Sequence, residues 1–254
     1  MSGISSSSSG GSSSSSSSLA LYERIKAVTE AESDTPFGRA LDQSITVMCD
    51  ALRLYGPDQL VASFNGGKDA VVILHLTLAA LAAHNNATGE AKRLRVIFFE
   101  VPDEFPEIDA FVRDTVSQHG LELVSSSLGF ADGLRSCIAE HGSSAFVLGT
   151  RGSDPNAGGQ QAFTPSSDWM PPFMRVNPIL TWSYADVWTF LRRFELPYSP
   201  LYDAGYTSLG KMTNTQKNPA LVRADGSYAP AYTLTDETLE RAGRVARQGA
   251  GAGA

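Results

Sequence analysis

Residues 59–76, QLVASFNGGKDAVVILHL, constrain this chain more than any other stretch. Residues 60–64 are a short apolar run that reads as a buried parallel strand. Asn65-Gly66-Gly67 is a turn signal, and residues 70–81 form an apolar segment of helix length. A strand that breaks through paired glycines into a helix makes an anion site. Gly66 and Gly67 let the backbone approach a phosphate, and N–H groups of the first helical turn point at it. Lys68 adds a mobile positive charge. The G-x-x-x-x-G-K-[ST] loop is excluded, because Ala62 stands at its first Gly and Asp69 at its Ser/Thr. No G-x-G-x-x-G follows a strand either.

A length of 254 residues fits one large α/β domain or two small ones. The net charge of −7 argues against a general binder of nucleic acid or membrane surfaces. No apolar run approaches the ~20 residues of a bilayer span, so none is expected. Cys49 and Cys137 lie far apart without a C-x-x-C partner, which fits two buried thiols in a reducing compartment. Residues 5–18 are serine apart from Gly10 and Gly11, so 1–18 is expected to be a disordered tail. The tail is Ser-rich and acid-poor like a transit peptide, but no Arg precedes Arg24, and a cytoplasmic location is the expectation. Residues 19–249 then form a single α/β domain, with 250–254 a flexible end.

Helix-like and strand-like segments alternate from Leu19 onward, which predicts a mostly parallel, twisted, Rossmann-like sheet with helices on both faces. Helices are expected over 37–55, 106–118 and 130–140, and strands over 94–99, 121–125 and 145–148. Ligands sit beyond the C-terminal ends of such strands, which gathers Asn65 to Asp69, Glu100 and Arg151 around one crevice. Residues 151–178 read as a long functional loop with five prolines. Ser183 opens a helix with Asp186 as its capping-box partner, and Thr235 or Asp236 caps a last helix carrying Arg241, Arg244 and Arg247.

The segment SFNGGKD resembles the pyrophosphate loop of the adenine-nucleotide alpha-hydrolases, which include the phosphoadenylylsulfate reductases and eukaryotic FAD synthases. RGSDP, DWMPPFMRVNPILTWSYADVW, LPYSPLYDAGYTSLG, NPAL and YTLTDETLERAGR occur in the order and approximate spacing of the FAD synthases. The resemblance covers residues 37–247. It departs at Ala70, where the family often has Cys, and at Gly152, where a second basic residue is common. A sulfonucleotide reductase would need a nucleophilic Cys near its C-terminus, and none follows Cys137.

The resemblance implies transfer of AMP from MgATP to FMN, giving FAD and pyrophosphate. FMN brings its own oxyanion nucleophile, so positioning and charge neutralisation supply the rate, and positive groups should concentrate in the cleft. It implies catalytic roles for Asn65, Lys68, Asp69, Arg151 and Asp154. ATP would be held by Ala62, Phe64, Asn65, Gly66, Gly67, Lys68, Asp69, Phe99, Thr150 and Arg151, with Asp69 a candidate Mg²⁺ ligand. FMN would meet Asp154, Asp168, Trp169, Arg175, Arg241 and Arg244. Alternatives stay open: Asp69 as a helix-start charge, Asp154 as a turn residue, Trp169 as a loop anchor, and Arg241 with Arg244 as a solvated face. A non-catalytic flavin- or nucleotide-binding module is the alternative function. The expected partners are small molecules only, with no nucleic acid or membrane, acting on a monomer.

Overall fold

The computed structural model describes residues 10–155 and 157–245. Two helices, α1 (Gly10–Ala31) and α2 (Pro36–Tyr55), precede β1 (Leu60–Ser63), α3 (Lys68–Thr88), β2 (Arg95–Phe99), α4 (Pro106–His119), β3 (Glu122–Ser126) and α5 (Phe130–His141). After them come β4 (Ala145–Val147), β5 (Phe163–Pro165), β6 (Met174–Val176) and α6 (Tyr184–Arg193). The six strands lie in the order β3-β2-β1-β4-β6-β5, all parallel except the edge strand β5. The expected mostly parallel sheet is therefore present.

Side-chain alternation along β1 explains why its whole run is apolar. Leu60 and Ala62, with Phe64 beyond them, face a core shared with α1, α2, α3, α4 and α6. Val61 faces the other way, onto Ile97, Phe146 and the α5 residues Leu134 and Cys137. A central strand covered on both faces takes apolar side chains in both directions, so Leu60, Val61 and Ala62 read as a continuous rather than alternating run that ends at half-buried Ser63. The chain leaves β1 outward to β2 and β3, then crosses to β4 on β1's other side. That reversal opens a crevice beyond the C-terminal ends of β1 and β4.

Local signals set the helix ends. Ser183 Oγ accepts from the Asp186 amide at 3.0 Å, and Asp186 accepts from the Ser183 amide at 2.9 Å, the capping box expected for α6. α6 carries Trp188, only 3% exposed and ringed by Tyr184, Tyr198, Tyr202 and Tyr232 at centroid distances of 5.1–6.2 Å. This aromatic cluster fixes Tyr202 beneath the β1–α3 loop.

Four expectations are corrected. Gly10 to Ser18, the described part of the tail expected over 1–18, are helical and continue α1, and residues 1–9 lie outside the described residues. Propagating an existing helix is far easier than nucleating one, and Ser18 is buried in the fold alongside Leu21 and Ile25. Residues 151–178 are not strand-free, because β5 and β6 pair there as an antiparallel hairpin at the sheet edge. Their three-residue length among prolines hides them from periodicity. Among the described residues no last α-helix forms either: Asp236 caps the short 3₁₀ turn Glu237–Leu239, and the following backbone pairs with residues 214–216 instead. Gln216 and Val245 donate to Gly243 and Asn214, so tertiary pairing outbids local helix propensity. Finally, α3 spans 21 residues and is apolar enough to cross a membrane by length and composition, though 72% of its apolar window is buried inside this fold. The flexible end at 250–254 and Arg247 lie outside the described residues.

Inside that central helix, His75 is 4% exposed, its Nε2 lacks a hydrogen-bond partner, and the His119 ring lies 5.3 Å away. Burial, with a smaller contribution from His119, lowers its pKa to about 3. The unfolded chain therefore takes up a proton below about pH 6.5 that the folded chain refuses. The stabilisation is complete above about pH 6.5 and is lost at about 1.4 kcal/mol per pH unit as pH falls toward 3. In urea titrations between pH 7 and 5, His75→Phe should show a shallower pH dependence than the wild-type chain. Parallel curves would contradict this assignment.

Candidate active site

At the end of β1, Phe64 keeps the ladder by donating to Ile97 O at 3.0 Å, after which the chain turns sharply. Gly66 makes the turn with φ +72°, and a Cβ there would lie 3.2 Å from both Ile108 and Val112 of α4. Asn65 Oδ1 accepts from the Gly67 amide at 3.0 Å, and the Tyr202 hydroxyl accepts from the Lys68 amide at 2.8 Å. Two of the loop N–H groups expected to face a phosphate are thus already satisfied, which braces the loop. Tyr202→Phe leaves the Lys68 amide buried without an acceptor, at a cost of about 1–2 kcal/mol. Urea titration should show that loss as a lower midpoint with an unchanged slope, and a wild-type midpoint would mean the hydroxyl does not brace the loop.

At the end of β4, Arg151 is 2% exposed, and its amide donates to Asp154 Oδ2 at 2.9 Å. Asp154 therefore closes the turn that aims Arg151, while also lining the crevice. Lys68 and Arg151 converge on two carboxylates. Asp69 lies 2.9 Å from Lys68 Nζ and 2.9 Å from Arg151 Nε. The second contact is an ion pair too bent to be a hydrogen bond, so Asp69 Oδ1 and Arg151 Nε, both buried, keep hydrogen-bonding capacity in reserve. Glu240 accepts from Lys68 Nζ and, at 2.6 Å, from Arg151 Nη2. Burial pulls the Lys68 pKa down, but Asp69 and Glu240 more than offset it and hold it above the usual lysine value. The same balance of burial against carboxylates raises Arg151. Both groups stay cationic at any working pH.

The crevice measures about 410 Å³. Asn65, Gly67, Lys68, Asp69, Thr150, Arg151, Asp154 and Arg241 line it, as expected. The other expected site residues lie outside this lining. Ala62 and Phe64 have fully buried side chains in the core and support the loop from behind. Gly66 faces α4, and Phe99 packs on Phe130, whose ring lines the crevice instead. Glu100 is exposed and outside the lining, which takes Glu104 in its place. Arg175 donates to Pro165 O and Ser167 Oγ in the edge hairpin, and Asp168 and the 69%-exposed Trp169 lie outside the lining. Nor is the cleft a concentration of positive charge: four carboxylates (Asp69, Glu104, Asp154, Glu240) face Lys68, Arg151 and Arg241.

Arg244 sits just behind this lining. Its guanidinium packs on Gly210, where a Cβ would come within 2.1 Å of Nη1. Nη1 is buried with no hydrogen-bond partner, and burial, then Arg241, lowers the Arg244 pKa. A half-buried guanidinium with one buried nitrogen left without an acceptor is suited to an anionic or carbonyl-bearing ligand. Tyr202 and Glu240 escaped the sequence analysis, because hydrogen bonds spanning 134 and 172 residues leave no local pattern.

Residues 59–130 and 130–217 match the phosphoadenosine phosphosulfate reductase domain family. A probable FAD synthase from Schizosaccharomyces pombe is 40% identical over 76% of this chain and 74% of its own length. A probable FAD synthase from Caenorhabditis briggsae is 39% identical over 82% of this chain, which spans only 40% of that protein. The crystal structure of yeast FAD synthetase in complex with FAD superposes with a TM-score of 0.79 at 25% identity, over 91% of this chain and 99% of that one. The chain therefore belongs to the phosphoadenosine phosphosulfate reductase domain family, in its FAD synthase branch.

Proposed function

We propose that this protein is an FMN adenylyltransferase that joins ATP and FMN into FAD and releases pyrophosphate. The observation that carries this is the pair of buried permanent cations, Lys68 and Arg151, at the strand ends, with Arg241 in the same lining and Arg244 packed on its lining residue Gly210. The first pair suits a polyphosphate, and the second suits an anionic acceptor. The FMN phosphate attacks the α-phosphorus of ATP, a new P–O–P bond forms, and the bond to the β-phosphate breaks as pyrophosphate leaves. No protein base is needed, because the attacking phosphate is already an oxyanion. Lys68 and Arg151 would neutralise charge gathering on the leaving pyrophosphate, and Asn65 and Asp154 would fix the loop and the arginine that hold it.

Asp69 fits a Mg²⁺ role. Its Oδ1 is a buried carboxylate oxygen without a hydrogen bond, and Mg²⁺ characteristically takes one or two carboxylates plus substrate phosphates. The ion would screen the triphosphate as FMN approaches. On this reading the protein acts on small molecules as a monomer, and the free thiols Cys49 and Cys137 suit a cytoplasmic setting. Incubation with MgATP and FMN followed by chromatography tests the assignment. FAD should accumulate in proportion to enzyme; no FAD from folded protein that binds both substrates would favour the non-catalytic alternative.

A further inference from the structure

Glu240 holds a position in the crevice that the chemistry reserves for a phosphate. Both its oxygens accept from Arg151 Nη2 at 2.6 Å, and Oε1 also accepts from Lys68 Nζ. The cationic side chains are 3% exposed and the Glu240 side chain 13%. A carboxylate bridging two buried cations satisfies them as a phosphate oxygen pair would, and the two cannot occupy the same donors together.

The mounting of Glu240 is firm at the backbone and free beyond it. Its carbonyl accepts from Thr207 Oγ1 at 2.7 Å, and Asn218 Nδ2 in turn holds Thr207 Oγ1 and Leu239 O at 2.7 and 2.8 Å. The Glu240 side chain lines the crevice, so rotating off the cations moves it within that open space rather than into packed core. An anchored backbone with a releasable carboxylate is the construction of a displaceable contact.

We propose that Glu240 is an internal competitor for the polyphosphate site: it neutralises Lys68 and Arg151 before nucleotide arrives, yields them to the phosphates, and returns to them to expel pyrophosphate. This rests on the assignment of the crevice to nucleotide. Any ligand that must displace Glu240 binds more weakly by the fraction of molecules in which the cations are covered. Single-phosphate anions, already weak, are thereby kept off the cations, and the leaving pyrophosphate does not linger.

The test is calorimetric binding of pyrophosphate, without metal, to the wild-type full chain, Glu240→Gln and Glu240→Asp. Removing the competitor should tighten binding at least fivefold in Glu240→Gln. Glu240→Asp keeps the site's charge but withdraws the carboxylate by one methylene, so it should tighten binding about threefold. Because Glu240→Gln leaves two buried cations less well compensated, its thermal midpoint should fall, and pyrophosphate should raise it more than in the wild-type chain. That readout works even where the variant is marginally folded. In turnover assays, Glu240→Gln should be inhibited by pyrophosphate at least fivefold more strongly. Unchanged or weaker binding in Glu240→Gln overturns the proposal, and wild-type binding in Glu240→Asp assigns the effect to charge alone and also overturns it. Wild-type chain that binds no pyrophosphate at all would overturn the nucleotide site itself.

Discussion

Lys68→Ala is expected to lower turnover with MgATP and FMN by roughly a hundred- to a thousandfold, about 2.7–4 kcal/mol of transition-state stabilisation. Its ammonium is buried between Asp69 and Glu240, so its full charge acts at short range and with little solvent screening. Charge on the pyrophosphate grows as the bond to the α-phosphorus breaks, and a lysine held at the loop stabilises that state beyond the bound substrate. The loss should therefore appear in single-turnover rate as well as in ATP affinity. Some stability goes too, because two carboxylates lose a partner; Arg151 still faces both. Wild-type kinetics in a folded Lys68→Ala protein would mean the loop is only structural.

Arg244→Ala is expected to weaken FMN use tenfold to a hundredfold while leaving ATP binding near wild type. Removing a charge-assisted hydrogen bond to a ligand costs about 1.5–3 kcal/mol. Arg244 is half-buried with Nη1 unsatisfied, so its truncation in the free chain breaks no hydrogen bond at that nitrogen and opens space beside Gly210. Arg241, exposed at the crevice wall, should show a smaller effect. Titrating each variant with FMN and with ATP separately checks this. Equal small losses at both arginines would return them to a solvated charged face, and equal loss of ATP and FMN affinity at Arg244 would point to a shared site.

What could be read from the sequence divides along a physical line. β1, its loop and α3 were legible because strand burial, a glycine turn and a helix start are all written in neighbouring residues. Ser183 and Asp186 gave the start of α6 for the same reason. Glu240 was invisible: its meaning lies in two cations brought to it by the ends of β1 and β4. Tyr202 was equally hidden, since only the Trp188 cluster places its hydroxyl on the Lys68 amide. The stretch around Arg241 and Arg244 has good helix formers, yet Gly243 lies so close to Gln216 O that a Cβ would come within 2.3 Å. That close crossing replaces helical hydrogen bonds with pairing to residues 214–216. The arginines were singled out through the family resemblance rather than their spacing, and the helix expected to carry them gives way to this pairing.

The central claim is that this crevice passes the adenylyl group of ATP directly to FMN. Isotope tracing tests it most directly, with ATP labelled separately at the α- and γ-phosphates and incubated with Mg²⁺, FMN and the wild-type chain. The account predicts α-label in FAD, γ-label in pyrophosphate, one of each formed per turnover, and no pyrophosphate release when FMN is omitted. Formation of AMP or ADP without labelled FAD, or release of γ-label as inorganic phosphate by the purified protein, would contradict it.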